Sequence, residues 1–172
     1  RSLLFWLVEF LKKAYDFVDI KFIVHTTEAK LVDEDTFFHK GESGGTYCWS
    51  AIEKATYLVD TEYPVDEWNV YCVYVSDGED WEASKSVKYV EELLKRKIAM
   101  FSYNEVKPST NQYNYSYNSL LGELKGRWSY ASSFSDGAEF YKNEQLHLLM
   151  SVIKKKEHLY PVLKHILFKE KK

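Results

Sequence analysis

The amino-acid sequence predicts an α/β fold of the Rossmann-like kind, in which a mostly parallel sheet is flanked by helices. Segments with apolar residues at helical spacing alternate with short apolar runs, a pattern typical of parallel sheets covered by helices. Residues 70–75 form an apolar run without polar interruption, as expected for a central strand buried on both faces. The chain has 172 residues, of which 45% are hydrophobic, so it can bury a core. It contains no repeat or linker, and we expect a single domain over residues 1–172.

The first half of the chain is predicted to form two long helices separated by two short strands. The first helix is apolar around much of its circumference, which indicates deep packing. Proline ends the second helix because it lacks a backbone N–H. The predicted elements, in order, are a helix over residues 2–16, a strand over 20–24, an edge strand over 29–32, a helical turn over 33–39 and a helix from Cys48 to Pro64.

The second half continues the alternation of helix and strand. Gly126 marks the end of one predicted helix, and Pro161 falls in the first turn of the last helix, where proline is tolerated. The predicted elements are the strand over residues 70–75, a helix over 87–94, a strand over 98–101, a helix over 120–126, a strand over 146–153 and a helix over 158–168.

The first residues already belong to a predicted helix. The apolar helical pattern starts two residues after Arg1, and no clear capping residue precedes it. We therefore expect an upstream segment to be missing from these 172 residues. The apolar run carries Glu9 and continues into Lys12 and Lys13, so it is too short and too charged to span a bilayer, and it has no signal-cleavage pattern.

The overall charge limits the partners that we expect. The formal net charge is −3 and the isoelectric point is about 6.0, whereas nucleic-acid binding depends on clustered Lys and Arg. We therefore expect no nucleic-acid and no membrane partner. The two cysteines, Cys48 and Cys72, fall in a predicted helix and a predicted strand, which favours burial as small apolar residues over a disulfide. This pattern fits a reducing, cytoplasmic setting.

Two polar segments lie next to predicted strands and together form the most informative feature of the chain. Residues 41–46 form a glycine-rich loop that ends in Thr46 just before a helix, and Asp77 follows a strand closely. Open α/β sheets bind ligands beyond the carboxyl ends of their strands, and hard divalent cations prefer oxygen ligands. The arrangement predicts part of a metal site. Each segment alone also fits a simpler structure, namely a helix-capping loop and a turn.

Several segments occur in the same order as in one family of bacterial and archaeal proteins. The matching segments are His25–Lys30, Phe37–Thr46, Trp68–Tyr71, Ser76–Gly78 and Tyr103–Val106. Through these segments the chain resembles the YhbH/YeaH family, whose members end in a von Willebrand factor A-like domain. The resemblance implies that fold. It also implies that a central strand with an Asp-x-Ser-x-Ser motif precedes the first helix.

In A domains, that motif, a loop threonine and a strand-end aspartate build the metal-ion-dependent adhesion site. The resemblance implies that Thr46 and Asp77 contribute to binding Mg²⁺ or Mn²⁺ when the upstream ligand segment is present. A protein partner would supply a carboxylate to the remaining coordination position. The residues implied to contact this partner are Glu42, Ser43, Gly44, Gly45, Gly78 and Glu79. The expected function is a non-enzymatic interaction module, acting in stress or sporulation signalling beside a serine protein kinase.

Two positions beside this site depart from the family pattern. Trp49 stands where relatives usually carry a small polar residue, and residues 79–81 vary an ending that is usually rich in Asp and Asn. Both changes flank the expected metal and bear on which partner binds there.

Two alternatives stay open at the level of sequence. A Mg²⁺-dependent hydrolase or phosphoryl-transfer enzyme could use Asp77, Glu79 and Asp80, although the chain lacks a P-loop and an obvious general base. Unpaired strand edges would also favour a homodimer, in which a second copy fills the vacant strand position.

Overall fold

The structure is a computed structural model that describes residues 1–39, 46–107 and 119–167, and it contains helices packed on β-strands. The helices are α1 (Ser2–Ala14), α2 (Glu34–His39), α3 (Cys48–Thr61), α4 (Ala83–Lys95), α5 (Leu120–Arg127) and α6 (Leu159–Leu167). The strands are β1 (Phe22–His25), β2 (Ala29–Val32), β3 (Tyr71–Ser76), β4 (Met100–Val106), β5 (Ala131–Ser135), β6 (Ala138–Asn143) and β7 (Leu148–Ile153). Helix α5 includes Gly126 rather than ending there. None of the helices in these ranges is long and apolar enough to cross a membrane.

Five strands form one mixed sheet, in the order β3-β4-β7-β6-β5. Strands β3, β4 and β7 are parallel, whereas the pairs β7–β6 and β6–β5 are antiparallel. The α/β class and the flanking helices are confirmed, but the prediction of a mostly parallel sheet is wrong.

The antiparallel half comes from a hairpin that the sequence interpretation missed. Strands β5 and β6 are joined by Asp136 and Gly137, whose φ angles are 50° and 81°. Two consecutive residues with positive φ are typical of the tight turn whose twist matches that of a hairpin, and Asp-Gly is a preferred sequence for it. The signal was therefore present in the sequence.

Strand β3 lies at one edge of the five-stranded sheet, so the prediction that it is central is wrong. Its six residues are exposed or half-buried, whereas all six residues of β7, which is central, are buried. An apolar run indicates that the side chains contact other apolar groups, but it does not determine where the strand lies in the order of the sheet.

Two apolar layers cover the two faces of the sheet. Helices α3, α4 and α5 pack on one face through a cluster that includes Ile52, Val90 and Leu124. Helices α1 and α6 pack on the other face through a cluster that includes Leu7 and Val162. Because residues of β4 and β7 contribute to both clusters, these strands form the centre of the core.

Strands β1 and β2 form a separate antiparallel hairpin beside the main sheet. An open cavity of about 2000 Å³ is lined by parts of this hairpin, helices α1 and α3, and strand β3, and it extends along the sheet to residues of β5, β6 and α6. Side chains connect the two regions: Phe17, before β1, packs on Trp68, before β3, with ring centroids 5.6 Å apart, and the Tyr74 hydroxyl of β3 lies 2.5 Å from His25 Nε2 of β1. Thus β1 and β3 belong to separate sheets and meet through the contact of His25 with Tyr74.

Candidate functional site

The candidate site lies at the carboxyl end of β3. Strands β3 and β4 are parallel and pair Ser76 with Glu105, so their carboxyl ends lie at the same edge of the sheet. The turn over residues 77–82 leads from this edge into α4, and Thr46 lies just before α3. The edge is the usual place for ligand binding in an open α/β sheet.

Thr46 and the turn after β3 are in direct contact. The backbone N–H of Trp81 donates a hydrogen bond to the carbonyl oxygen of Thr46 at 3.1 Å. The Tyr47 and Trp81 rings also pack edge to face, with centroids 5.7 Å apart. The structure therefore brings together the two segments that the sequence analysis singled out, although Thr46 is joined to the turn by its backbone.

Asp80 connects the first turns of two helices. Its Oδ1 accepts hydrogen bonds from the backbone N–H of Cys48, at 3.4 Å, and of Glu82, at 3.1 Å. The residue is only 2% exposed. Since the first N–H groups of a helix lack partners within the helix, this carboxylate satisfies donors at the start of both α3 and α4. Asp80 is thus a structural organiser of the site.

Asp77 and Glu79 face solvent, in contrast to Asp80. Asp77 Oδ1 accepts a hydrogen bond from the Glu79 backbone N–H at 3.2 Å, which closes a local turn. Asp77 and Glu79 are thus exposed and Asp80 is buried, so the three carboxylates named for a hydrolase differ in their access to solvent. No group of three or more His, Cys, Asp or Glu side chains is placed to hold a metal within the part of the chain that the structure describes.

Gly78 is tightly packed against a residue that the sequence analysis did not select. A Cβ on Gly78 would lie 2.8 Å from Cδ of Glu105, and the glycine has a φ of 96°. Glu105 is fully buried, its Oε2 accepts a hydrogen bond from the Tyr103 hydroxyl at 3.2 Å, and Lys107 Nζ lies 2.5 Å from Oε1. A carboxylate within an otherwise buried strand was the signal that could have identified it, since buried acids are rare unless paired.

A second polar group lies below the turn. The Tyr74 hydroxyl contacts His25, and Cys48 Sγ lies 3.8 Å from the Glu79 carbonyl oxygen. Burial lowers the pKa of His25, and burial together with the Asp80 carboxylate raises the pKa of the Cys48 thiol. Burial also raises the pKa of Tyr74 well above its usual range. Neutral forms are therefore favoured at neutral pH, and Cys48 is not activated as a thiolate nucleophile.

Several buried polar atoms near this edge lack hydrogen-bond partners. In the described ranges, the buried side-chain atoms without one are His25 Nδ1, Asp80 Oδ2, Ser86 Oγ and Glu105 Oε1. Glu105 Oε1 has the Lys107 ammonium nearby, but their geometry is that of an ion pair and not of a hydrogen bond. Buried polar groups normally have partners, so these atoms mark a region suited to water, an ion or another polar group.

The metal ligands expected from the resemblance are only partly described. Thr46 is half-buried and Asp77 is exposed, and both lie at this edge. The partner-contact residues 42–45 lie outside the described residues, whereas Gly78 is buried against Glu105 and Glu79 is exposed. The oxygen-rich edge has the donor chemistry that Mg²⁺ prefers, but Thr46 and Asp77 alone do not provide near-octahedral coordination.

Fold and site together define an α/β protein with a polar edge beyond its parallel strands. Comparison with known proteins then places the chain in a family. The chain belongs to the family described as "Protein of unknown function (DUF444)", whose model matches residues 1–170. This membership agrees with the resemblance to a YhbH-like family without a characterised function.

Curated relatives come from several Bacillus species. Over 127 residues the chain is 50% identical to a UPF0229 protein of Bacillus thuringiensis (strain Al Hakam) and 47% identical to one of Bacillus cereus (strain B4264). These matches cover 73% of this chain and 31% of each relative. The chain thus spans about a third of the length of these relatives. No solved structure matches it.

Proposed function

We propose that this chain forms most of a von Willebrand factor A-like domain and acts as a protein-interaction module with a metal-assisted site. In this proposal Thr46 and Asp77 contribute oxygen ligands for Mg²⁺ or Mn²⁺, and a carboxylate of a protein partner completes the coordination. Exposed Glu79, together with residues 42–45, contacts that partner. The module needs no nucleophile.

The proposal is carried by the contact between Thr46 and the turn after β3. The hydrogen bond from Trp81 to Thr46 connects two segments that are separated by more than 30 positions in the sequence. Asp80 accepts hydrogen bonds at the starts of both following helices, so a buried carboxylate connects the segments that carry Thr46 and Asp77. Such second-layer hydrogen bonds typically orient the ligands of a metal site.

The remaining ligands are proposed to come from a strand that lies outside these 172 residues. The cavity beside β1 and β3 has a largely apolar lining that includes Val8, Ile23 and Val73. The cavity as a whole, at about 2000 Å³, is larger than ordinary small-molecule pockets of about 300–1,000 Å³, and we propose that its part beside β1 and β3 takes a polypeptide segment. A strand there would join the hairpin to the main sheet, and its carboxyl end would reach the polar edge.

The resemblance, rather than the geometry, supports the cellular part of the proposal. It suggests a cytoplasmic role in stress or sporulation signalling, beside a serine protein kinase. A second copy of the chain could fill the same strand position, which would make the module a homodimer.

Calorimetric titration with Mg²⁺ and Mn²⁺ tests the metal site. We would titrate both the 172-residue chain and the longer natural protein that contains it, after intact-mass measurement of each. The longer protein is expected to bind metal at least tenfold more tightly, and Thr46→Ala and Asp77→Ala should each weaken that binding. Asp66→Ala is the matched control, because Asp66 is an exposed carboxylate before the amino end of β3.

Two results would overturn the proposal. One is the absence of metal binding by the longer protein, and the other is metal binding that Thr46→Ala and Asp77→Ala leave unchanged. Light scattering in the same samples would show whether the 172-residue chain is a dimer. If it is a dimer and binds metal as tightly as the longer protein does, the additional strand comes from a second copy.

A further inference from the structure

Four aromatic rings form a continuous row beside the candidate metal site. In this aromatic row, made of Trp81, Tyr47, Trp49 and Tyr89, the centroids of successive rings are 5.7, 5.9 and 5.6 Å apart. Trp81 is 60% exposed, and the other three rings are half-buried. Aromatic residues of this kind are enriched among the residues that dominate the energy of protein interfaces.

One ring of the row already binds a cation. The ammonium of Lys85 lies 3.4 Å from the centroid of Trp49, and the Trp49 indole N–H donates to Glu82 Oε2 at 2.7 Å. The same Glu82 oxygen lies 3.3 Å from Lys85 Nζ. A ring face and a carboxylate therefore hold one positive charge together. This pairing is the chemistry by which tryptophan attracts lysine and arginine.

The exposed end of the row also has aromatic rings and carboxylates, but it holds no cation of the described residues. Tyr47 and Trp81 meet at an interplanar angle of 89°, which gives two aromatic walls, and no cation of the described residues lies over Trp81. Asp77 and Glu79 are exposed in the same turn, and neither forms an ion pair with any side chain that the structure describes. Because arginine combines a flat, weakly hydrated guanidinium with a full charge, it fits both the walls and the carboxylates.

An anionic ligand does not fit this corner, even though two helices begin there. Asp80 already accepts hydrogen bonds from backbone N–H groups at the starts of α3 and α4. The carboxylates of Asp77 and Glu79 add negative charge at the surface, which repels phosphate groups.

We infer that the corner between Tyr47 and Trp81 binds an arginine side chain of a protein partner. The inference deepens the proposed function by giving the partner a second feature: a cation placed beside the carboxylate that reaches the metal. The arginine contact itself needs no metal.

A titration with two short peptides tests the inference. We would add acetyl-Gly-Arg-Gly-amide, or the same peptide with citrulline in place of arginine, to protein in EDTA, and follow the tryptophan indole N–H signals by NMR. Citrulline keeps the shape but removes the charge. The arginine peptide should shift the Trp81 signal and bind about fivefold more tightly than the citrulline peptide, as expected for an exposed cation–π contact.

Variants separate this contact from other causes. Trp81→Ala should weaken binding of the arginine peptide about fivefold. Glu79→Gln should also weaken this binding and should reduce its dependence on salt. Tyr160→Ala is the control, because Tyr160 is 72% exposed but lies on α6. Thr46→Ala should leave arginine binding unchanged, so that failure of the metal site and failure of this inference give different results.

Three outcomes would overturn the inference. The first is equal binding of the arginine and citrulline peptides, which would mean that charge is not recognised. The second is no loss of binding in Trp81→Ala. The third is that pentaproline shifts the Trp81 signal while the arginine peptide does not, which would assign the row to an extended apolar segment.

Discussion

Strands β3 and β7 are similarly apolar in sequence, but they occupy very different places in the sheet. Strand β7 lies between β4 and β6 and is buried at all six positions. Strand β3 lies at the edge, next to a cavity of about 2000 Å³, and none of its residues is fully buried. Strand β3 therefore has the composition of a central strand, but among the described residues only β4 pairs with it in this sheet. Strand β7 thus has a partner on each side, whereas β3 has one unpaired edge among the described residues.

Truncation of side chains in the two strands should give the largest difference. Met150→Ala, in β7, is expected to lower the free energy of unfolding by about 2–5 kcal/mol, because Met150 is almost fully buried and its removal leaves a cavity. Val73→Ala, in β3, should cost less than about 1 kcal/mol, because Val73 already lines a cavity. Denaturant unfolding of both variants measures the difference.

Equal losses in the two variants would contradict the contrast. They would indicate that β3 is as tightly packed in solution as β7. Repeating the Val73→Ala measurement in the longer natural protein would sharpen the result, since a strand in the cavity should raise the cost of this substitution towards that of Met150→Ala.

The carboxyl end of β3 is expected to be rigid even though the rest of the strand borders a cavity. Gly78→Ala should destabilise the fold by about 1–3 kcal/mol, because the new Cβ would meet the buried Glu105 carboxylate at 2.8 Å and because alanine disfavours a φ of 96°. Gly126→Ala is the matched control. It lies within helix α5 with nothing within 4 Å of the added Cβ, so it should stabilise the fold by about 0.5–1 kcal/mol.

Thermal unfolding of the two glycine variants provides the measurement. A neutral Gly78→Ala would mean that Glu105 can move aside, and that the turn carrying Asp77 is not fixed by this contact. The opposite signs expected for the two variants make the test independent of any general effect of replacing glycine by alanine.

Local periodicity allowed most individual elements to be predicted from the sequence. Helix α4 was evident because Val87, Val90 and Leu94 form one apolar stripe, and these residues are indeed buried. Lateral strand order was not predictable in this way, because the apolar run of β3 contains no information about its neighbours. The β5–β6 hairpin could have been recognised from Asp136 and Gly137.

The candidate site was predictable only in outline. Thr46 and Asp77 were identified because each lies next to an apolar element, and the structure places their segments in contact. The roles of Asp80 and Glu105 depend on burial and on partners that are distant in sequence: Asp80 accepts from Cys48, and Glu105 packs on Gly78. The carboxylate inside the strand Met100–Val106 could have marked Glu105 as unusual, but the contacts of both residues arise from tertiary structure and are not predictable from a local pattern.

The pH dependence of stability should show the smallest effect. It tests the packing beside β3, where His25 contacts Tyr74. Burial lowers the pKa of His25 below its ordinary value of 6.5, so the unfolded chain takes up a proton more readily than the folded protein does. The contribution of this residue to stability is therefore fully present above pH 6.5 and is lost as the pH falls through the folded pKa. Unfolding measurements between pH 7.5 and about pH 5 should show less loss of stability on acidification for His25→Gln than for the unmodified chain. An unchanged pH dependence would mean that His25 is not buried beside Tyr74 in solution, and that the polar edge is open to water from the cavity side.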